Sequence, residues 1–423
     1  MSFFKKVFKA YVEVPLILRI LVGLIIGALF GLFVAEATFM SIFGDVFVGA
    51  LKAIAPILVF VLIISALSTA GKGLGSRFRT VIILYMASTF IASFLAVCGS
   101  FMFQLEIPLI DVGGAENQTP PEGLGQVFST LLNNMVQNPV TALMNGNYVG
   151  ILTWAIIIGF AMRYVASDST KKVLTDLSNG VSKVVGWIIQ FAPFGIMGLV
   201  FTTVSQNGLD IFADYGQLLL LLVSCMLIVS LVVNPLIIAL LLKRNPYPLV
   251  LRCLKDSGVS AFFTRSSAAN IPVNMKLCDS LGLEEDFYSV AVPLGATINM
   301  DGAAITIAIM SLAAAFSTGV TVPFGMAILL CIVATLGACG ASGVAGGSLL
   351  LIPMACSLLG VSVDVAMQFV AIGFIIGVIQ DSLETALNSS GDAMFAATAE
   401  YIEWKKQGKQ EDISKSIKGQ LKK

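Results

Sequence analysis

A chain of 423 residues that is 57% hydrophobic and only 12% charged, with a formal net charge of zero and no histidine, has too few polar groups to cover a soluble surface. Its mean hydropathy of +0.92 makes it an integral membrane protein. Lys and Arg form no stripe interleaved with aromatic residues, which leaves nucleic acid without a docking surface.

The first ten residues are basic and aromatic, and the apolar run at 14–35 that follows is too long for a signal-peptide core, so it reads as a retained first membrane helix. Further runs at 46–70, 80–103, 127–162, 181–204, 218–242, 289–316 and 363–399 predict about eight transmembrane helices in an all-α polytopic protein that lives in the lipid bilayer. Lys72, Arg77 and Arg79, then Arg163, Lys171 and Lys172, then Lys243, Arg244, Arg252 and Lys255 fall in alternate loops. The intervening loops, at Glu36 and Asp45, 106–122, Asp210 and Asp214, and 317–323, carry no Lys or Arg. The positive-inside rule then puts both termini in the cytoplasm, and the Lys-rich tail at 401–423 agrees, reading as solvated charge. The seven cysteines contain no Cys-x-x-Cys pair and read as small packing residues.

Two stretches do not read as ordinary spans. Residues 256–279 are apolar on both sides of a polar centre, Thr264-Arg265-Ser266-Ser267, and residues 332–359 are broken by Gly337, Gly340, Ser342, Gly343, Gly346, Gly347 and Ser348. Non-helical backbone at membrane depth is tolerated where it is buried in protein or lines a wet cavity, so each stretch is expected to form a re-entrant helical hairpin. Each precedes a helix interrupted beside a carboxylate: Asp301 in Asn299-Met300-Asp301-Gly302, and Asp392 after Asn388-Ser389-Ser390-Gly391. The second interruption is expected to break the last helix. A charge at membrane depth costs several kcal/mol or more without a partner, so both aspartates are functional candidates, and an oxygen-rich setting suits a hard cation such as sodium. Paired interrupted segments of opposite topology point to an inverted-repeat secondary transporter with its site near the midplane. Three regions follow: 1–250 with helices one to six, 251–400 as the transport core with both hairpins and helices seven and eight, and the tail at 401–423.

The run Pro293-Leu294-Gly295-Ala296-Thr297-Ile298-Asn299-Met300-Asp301-Gly302, the tip Thr264-Arg265-Ser266-Ser267 and the spacing of Asp381, Thr385, Asn388 and Asp392 resemble the dicarboxylate/amino acid:cation symporters, the glutamate-transporter family. The likeness extends to Leu51-Lys52 with Pro56 and to Tyr85, Ser88 and Thr89, and so spans nearly the whole chain. The stretches 261–275 and 338–353, together with Asp381-Ser382-Leu383-Glu384-Thr385, are most similar to the sodium-coupled serine- and threonine-carrying members.

The resemblance implies that Asp381 holds a substrate ammonium and that Asn388 with Ser266 and Ser267 takes its carboxylate. Arg265, Ala303, Gly343, Gly346, Glu384 and Thr385 complete the implied substrate site. It also implies sodium sites built on Asp301 and Asp392 with Tyr85, Ser88, Thr89, Thr297, Asn299 and Asn388, although helix packing is the plainer reading of Tyr85, Ser88 and Thr89 taken alone. Sodium is then a coupling ion, and no cofactor is expected. Family members are homotrimers in which a mobile unit, here 256–399 with the third helix, slides against a scaffold formed by helices one, two, four and five. A bacterial inner-membrane location follows from the same likeness.

The departures bear on substrate. Members that carry acidic substrates place an Arg where this chain has Glu384 and a Thr where it has Ala303, so dicarboxylates are disfavoured and a small neutral amino acid is expected. A hydroxyl could donate to Glu384, which fits serine or threonine, with other small neutral amino acids as the alternative. Arg265 is expected to pair with Glu384, the plainer reading being a Glu384 that faces a water-filled cavity. Gly340-Ala341-Ser342-Gly343 matches the Gly-x-Ser-Gly of an intramembrane serine protease, but a chain without histidine lacks the base that chemistry uses, and no nucleotide phosphate loop is present.

Overall fold

The structure is a computed structural model that describes residues 11, 14–69, 76–109, 129, 132–339, 341 and 346–417, and every regular element among them is helical. Helix α1 spans Leu16–Phe33 and is followed by α2, Ser41–Thr69, and α3, Ser76–Met102. Leu18, Val22, Ile25, Leu29 and Phe33 fall on one exposed stripe of α1 at helical spacing, as a lipid-facing surface requires. Gly23, Gly27 and Gly31 fall on the opposite face, against Pro193, Met197 and Val204 of a later helix, α6 (Ala192–Asn207). A Cβ on Gly27 would lie 2.3 Å from the Met197 carbonyl oxygen, so the two backbones touch as small-residue interfaces in membranes allow.

Helix α4 covers Tyr148–Val165 and α5 covers Asp168–Gln190. The single span expected at 127–162 is therefore shorter. A separate helix, Pro139–Asn145, capped by Asn138, ends at Gly146 with φ of 64°, and Asn147 caps α4 anew. The span expected at 181–204 is the pair α5 and α6, bent by 54° just before Pro193, whose missing N–H cannot continue the ladder. Helix α7, Ile211–Leu242, carries a π-type turn at Val229–Val233.

Both hairpins form. The first runs up through residues 247–264 (α8), turns at Arg265 and Ser266, and returns as α9, Ser267–Ser280. After α10 (Glu285–Ile298) and α11 (Asp301–Ser317), the second rises through α12, Phe324–Ala338, and returns by a 3-10 turn at Ser348–Leu351 into α13, Ile352–Leu358. In each hairpin the two arms pack on one another. Gly340, Ser342 and Gly343 lie outside the described residues, as does Lys72.

The last long helix, α14, runs unbroken over Val363–Lys406, so the interruption expected near Asp392 does not exist. The Ser389 and Ser390 side chains find partners within the bundle or on the preceding turn, and the helix closes over Gly391 without a gap. A short helix, α15, spans Gln410–Ile417. Among the described residues six spans are long and apolar enough to cross a bilayer, a seventh arises if α5 and α6 count as one, and α1 is a shorter apolar helix beside them. Helices α1, α2, α4, α5 and α6 pack among themselves, whereas α3 leaves its sequence neighbours and packs on α10, α11, α12 and α14.

Candidate functional site

Two polar centres lie along α14, both enclosed by protein. The deeper one forms where α10 stops at Ile298 and α11 restarts at Asp301. Ser88 and Thr89, on the buried face of α3, donate to Asp301 Oδ1 at 2.9 and 3.1 Å, and Asn234 Nδ2 of α7 donates to Oδ2 at 3.0 Å. Asn299 Nδ2 donates to the Asn388 carbonyl at 2.9 Å and to Asp392 Oδ1 at 3.1 Å, while its Oδ1 accepts from Ser88 at 3.3 Å. Tyr85, one turn before Ser88 and Thr89, places its hydroxyl 3.0 Å from the Asp392 carbonyl and 3.2 Å from that of Ala291. Asp392 Oδ2 is buried and has no hydrogen-bond partner among the described residues. Close approach needs Gly391, where a Cβ would lie 2.5 Å from Asn299 Nδ2. Tyr85, Ser88, Thr89, Asn299, Asp301, Asn388 and Asp392 are thus brought together, but Thr297 is not: its residue is exposed and its hydroxyl donates to the Leu294 carbonyl.

The second centre gathers the hairpin tips. Arg265 Nε donates to Asp381 Oδ2 at 2.6 Å, and the Gly346 N–H donates to Asp381 Oδ1 at 3.1 Å. One carboxylate therefore touches both hairpins with different oxygens. Arg265 holds φ of 52°, a left-handed conformation costing a side-chain-bearing residue roughly 1–2 kcal/mol, and the ion pair helps to hold it there. Gly346 has φ of 73°, and a Cβ there would also meet the Phe374 ring at 2.8 Å. Ser266 caps α9 by accepting from the Ala269 N–H, and Ser267 is buried on its first turn. Thr385 turns its hydroxyl to the Asp381 carbonyl, and Ala303 is buried on the first turn of α11. Asn388 joins the two centres, since its Oδ1 accepts from the Gly302 N–H at 2.7 Å.

The expected Arg265–Glu384 pair is absent because Arg265 is engaged by Asp381. Glu384 instead accepts from Thr306 at 2.8 Å, Ser348 at 2.8 Å and Gln380 at 2.6 Å. Gln380 lies one turn earlier on α14, so the last helix itself supplies a partner that inspection of the sequence overlooked. Asn234 was also missed, although a lone Asn in the apolar run Val232-Val233-Asn234-Pro235-Leu236 is the kind of polar interruption that marks such a site. Thr306 and Ser348 carried no such signal, since hydroxyls commonly bond their own helix, and Thr306 Oγ1 does lie 3.0 Å from the Gly302 carbonyl as well as reaching Glu384.

Across both centres four buried carboxylates, Asp301, Asp381, Glu384 and Asp392, face one buried guanidinium, Arg265. Residues 277–404 contain no Lys or Arg at all. The arrangement can accept cations and can hold a zwitterion by both ends. Among the described residues it has no spare cation with which to clamp a second substrate carboxylate.

A helical membrane protein whose two re-entrant hairpins close on a buried carboxylate beside a second, oxygen-rich polar centre is built as a secondary transporter, and nothing among the described residues of these centres supplies an activated nucleophile. Residues 16–402 match the model of the sodium:dicarboxylate symporter family, and the chain belongs to that family, one of transporters and not of enzymes. It is similar to the serine/threonine transporter SstT of Bifidobacterium adolescentis, at 57% identity over 95% of this chain and 93% of that protein. The proteins of the same name from Streptococcus thermophilus and Streptococcus agalactiae are 52% and 54% identical, over 95% and 94% of this chain and 100% and 98% of their own lengths.

Proposed function

We propose that this protein imports serine and threonine together with sodium by alternating access. The observation that carries the reading is the charge of the two centres: four carboxylates against one guanidinium that Asp381 already engages, with Asp392 Oδ2 left without a partner among the described residues. A sodium ion satisfies an orphaned carboxylate oxygen, whereas a dicarboxylate would add charge of the wrong sign. Asp301 with Ser88, Thr89 and Asn299 would coordinate one ion, and Asp392 with the Asn388 carbonyl and the region of the Tyr85 hydroxyl another. The substrate ammonium would share Asp381, whose oxygens retain accepting capacity beside Arg265 and Gly346. Asn388, Ser266 and Ser267 would take its carboxylate, and its hydroxyl would donate to Glu384. Gly343, in the second tip, belongs to the same proposal.

The packing of α3 onto α10, α11, the first arm of the second hairpin and α14 supports a mobile unit, 256–399 with α3, set against a scaffold of α1, α2, α4, α5 and α6, with 401–423 as a cytoplasmic tail. Homotrimeric assembly in a bacterial inner membrane, with both termini cytoplasmic, completes the proposal. Each sodium driven by 100 mV contributes about 2.3 kcal/mol, enough for one or two ions to accumulate a neutral amino acid.

The test is uptake of labelled serine by proteoliposomes with and without an inward sodium gradient, with unlabelled threonine or glutamate in excess. The expected result is sodium-dependent uptake that threonine blocks and glutamate does not. Indifference to sodium would overturn the ion sites, and competition by glutamate would overturn the substrate reading.

A further inference from the structure

Three donors converge on a single oxygen of Glu384. Thr306 Oγ1 from α11, Ser348 Oγ just beyond the second hairpin tip and Gln380 Nε2 from α14 all reach Oε2, while Oε1 accepts no hydrogen bond from any described residue. Gln380 Nε2 also donates to Thr306 Oγ1 at 2.7 Å, tying two of the three donors together. Gly302 lets α11 come close enough for this: a Cβ there would lie 2.8 Å from the Glu384 Cα.

None of the three donors is charged. A cation on Oε2 would neutralise the carboxylate; hydroxyls and an amide instead fix its rotamer and leave Oε1 uncommitted among the described residues. Gln380 itself is fully buried with its Oε1 unpartnered among the described residues. The reverse amide orientation would set that oxygen against the carboxylate, so the donor orientation is the one the site enforces. A buried amide with an unsatisfied oxygen is a poor packing residue, and its place is explained by what it does to Glu384.

We infer that Gln380, with Thr306 and Ser348, is a positioning cradle that turns Glu384 Oε1 toward the side-chain hydroxyl of the substrate and so sets the preference for hydroxylated over plain small amino acids. This rests on the reading of the protein as a serine and threonine carrier. Gln380 acts through Glu384, and its substitution weakens recognition of the hydroxyl while sparing the ammonium and carboxylate contacts.

The experiment compares serine and alanine uptake, as kcat/KM, in proteoliposomes under an inward sodium gradient for the wild type, Gln380→Met, Glu384→Gln and the double variant. Gln380→Met is expected to lower the serine-to-alanine ratio about tenfold, through the KM for serine, and to leave alanine uptake within about twofold of wild type. In the Glu384→Gln background it should lower the ratio no further. Equal losses for serine and alanine would make Gln380 a structural residue and overturn the inference. If Gln380→Met fails to insert or to carry alanine, Thr306→Val is read instead, and an unchanged ratio there also overturns it. A wild type that does not take up serine sinks the functional reading itself, whereas serine uptake with a ratio indifferent to the cradle sinks only the cradle.

Discussion

The two polar centres along α14 solve the same problem, carboxylates buried in a membrane protein, in opposite ways. At the deeper centre Asp301 and Asp392 are surrounded by hydroxyls, amides and carbonyls with no cation among the described neighbours, and one oxygen of Asp392 is left over. At the other, Asp381 has its own guanidinium, and Glu384 three neutral donors. Neutral donors orient a charge without cancelling it, as the sodium sites proposed for the first centre require. An internal ion pair cancels charge and gives position instead, which suits the proposed binding of a zwitterion there.

The sharpest way to break this contrast is Asp392→Asn or Asp301→Asn. Either should reduce sodium-driven serine uptake at least about a hundredfold, measured in proteoliposomes, because no second cation-attracting group replaces it. Arg265→Gln comes next. It leaves Asp381 buried without its partner at a cost of about 3–5 kcal/mol, read as a fall in thermal unfolding temperature, and Asp381→Asn added to it should recover much of that stability. A matching recovery with Glu384→Gln would contradict the pairing in the structure. Asn234→Leu should weaken the deeper centre alone: one lost donor to Asp301 Oδ2 is worth about 1 kcal/mol, seen as a roughly fivefold rise in the sodium concentration for half-maximal uptake with serine selectivity intact. Smallest of all is Lys52→Ala. Its pair with Asp364, at 2.5 Å, is largely solvent-exposed, so screening should hold the loss of stability under about 1 kcal/mol and leave both centres unaltered.

Much of this was legible in the sequence, for a physical reason. Hairpins and the α10–α11 break announce themselves locally, because Gly, Ser, Pro and Asn that interrupt an apolar run at membrane depth free backbone groups that lipid cannot satisfy. Asp301 and Asp392 stood out because lipid cannot satisfy a carboxylate either. The expected break near Asp392 failed because Asn388-Ser389-Ser390-Gly391 can remain helical when its polar groups find partners across the bundle, as Ser389 does with Asn270 and Asn274. Which cation meets which anion was not legible either. Asp381 and Glu384 lie on adjacent turns of one helix, and only the path of the first hairpin tip decides between them. Thr306 and Ser348 reach Glu384, and Asn234 reaches Asp301, from distant segments, so these meetings are purely tertiary.

The lengths of two helices carry a consequence for the bilayer. Helix α14, at 44 residues, extends about 66 Å, roughly twice the hydrocarbon thickness, yet its far end is sheathed by protein: Tyr401 meets Ser416, and Arg252 reaches the Ser416 and Ile417 carbonyls. Helix α1, at 18 residues, reaches only about 27 Å and turns its Leu, Val and Ile stripe outward. Membrane thickness therefore acts unequally on the molecule. Thicker lipid strains the peripheral helix through hydrophobic mismatch, while the helix that bears the carboxylates is insulated from it by its own protein coat.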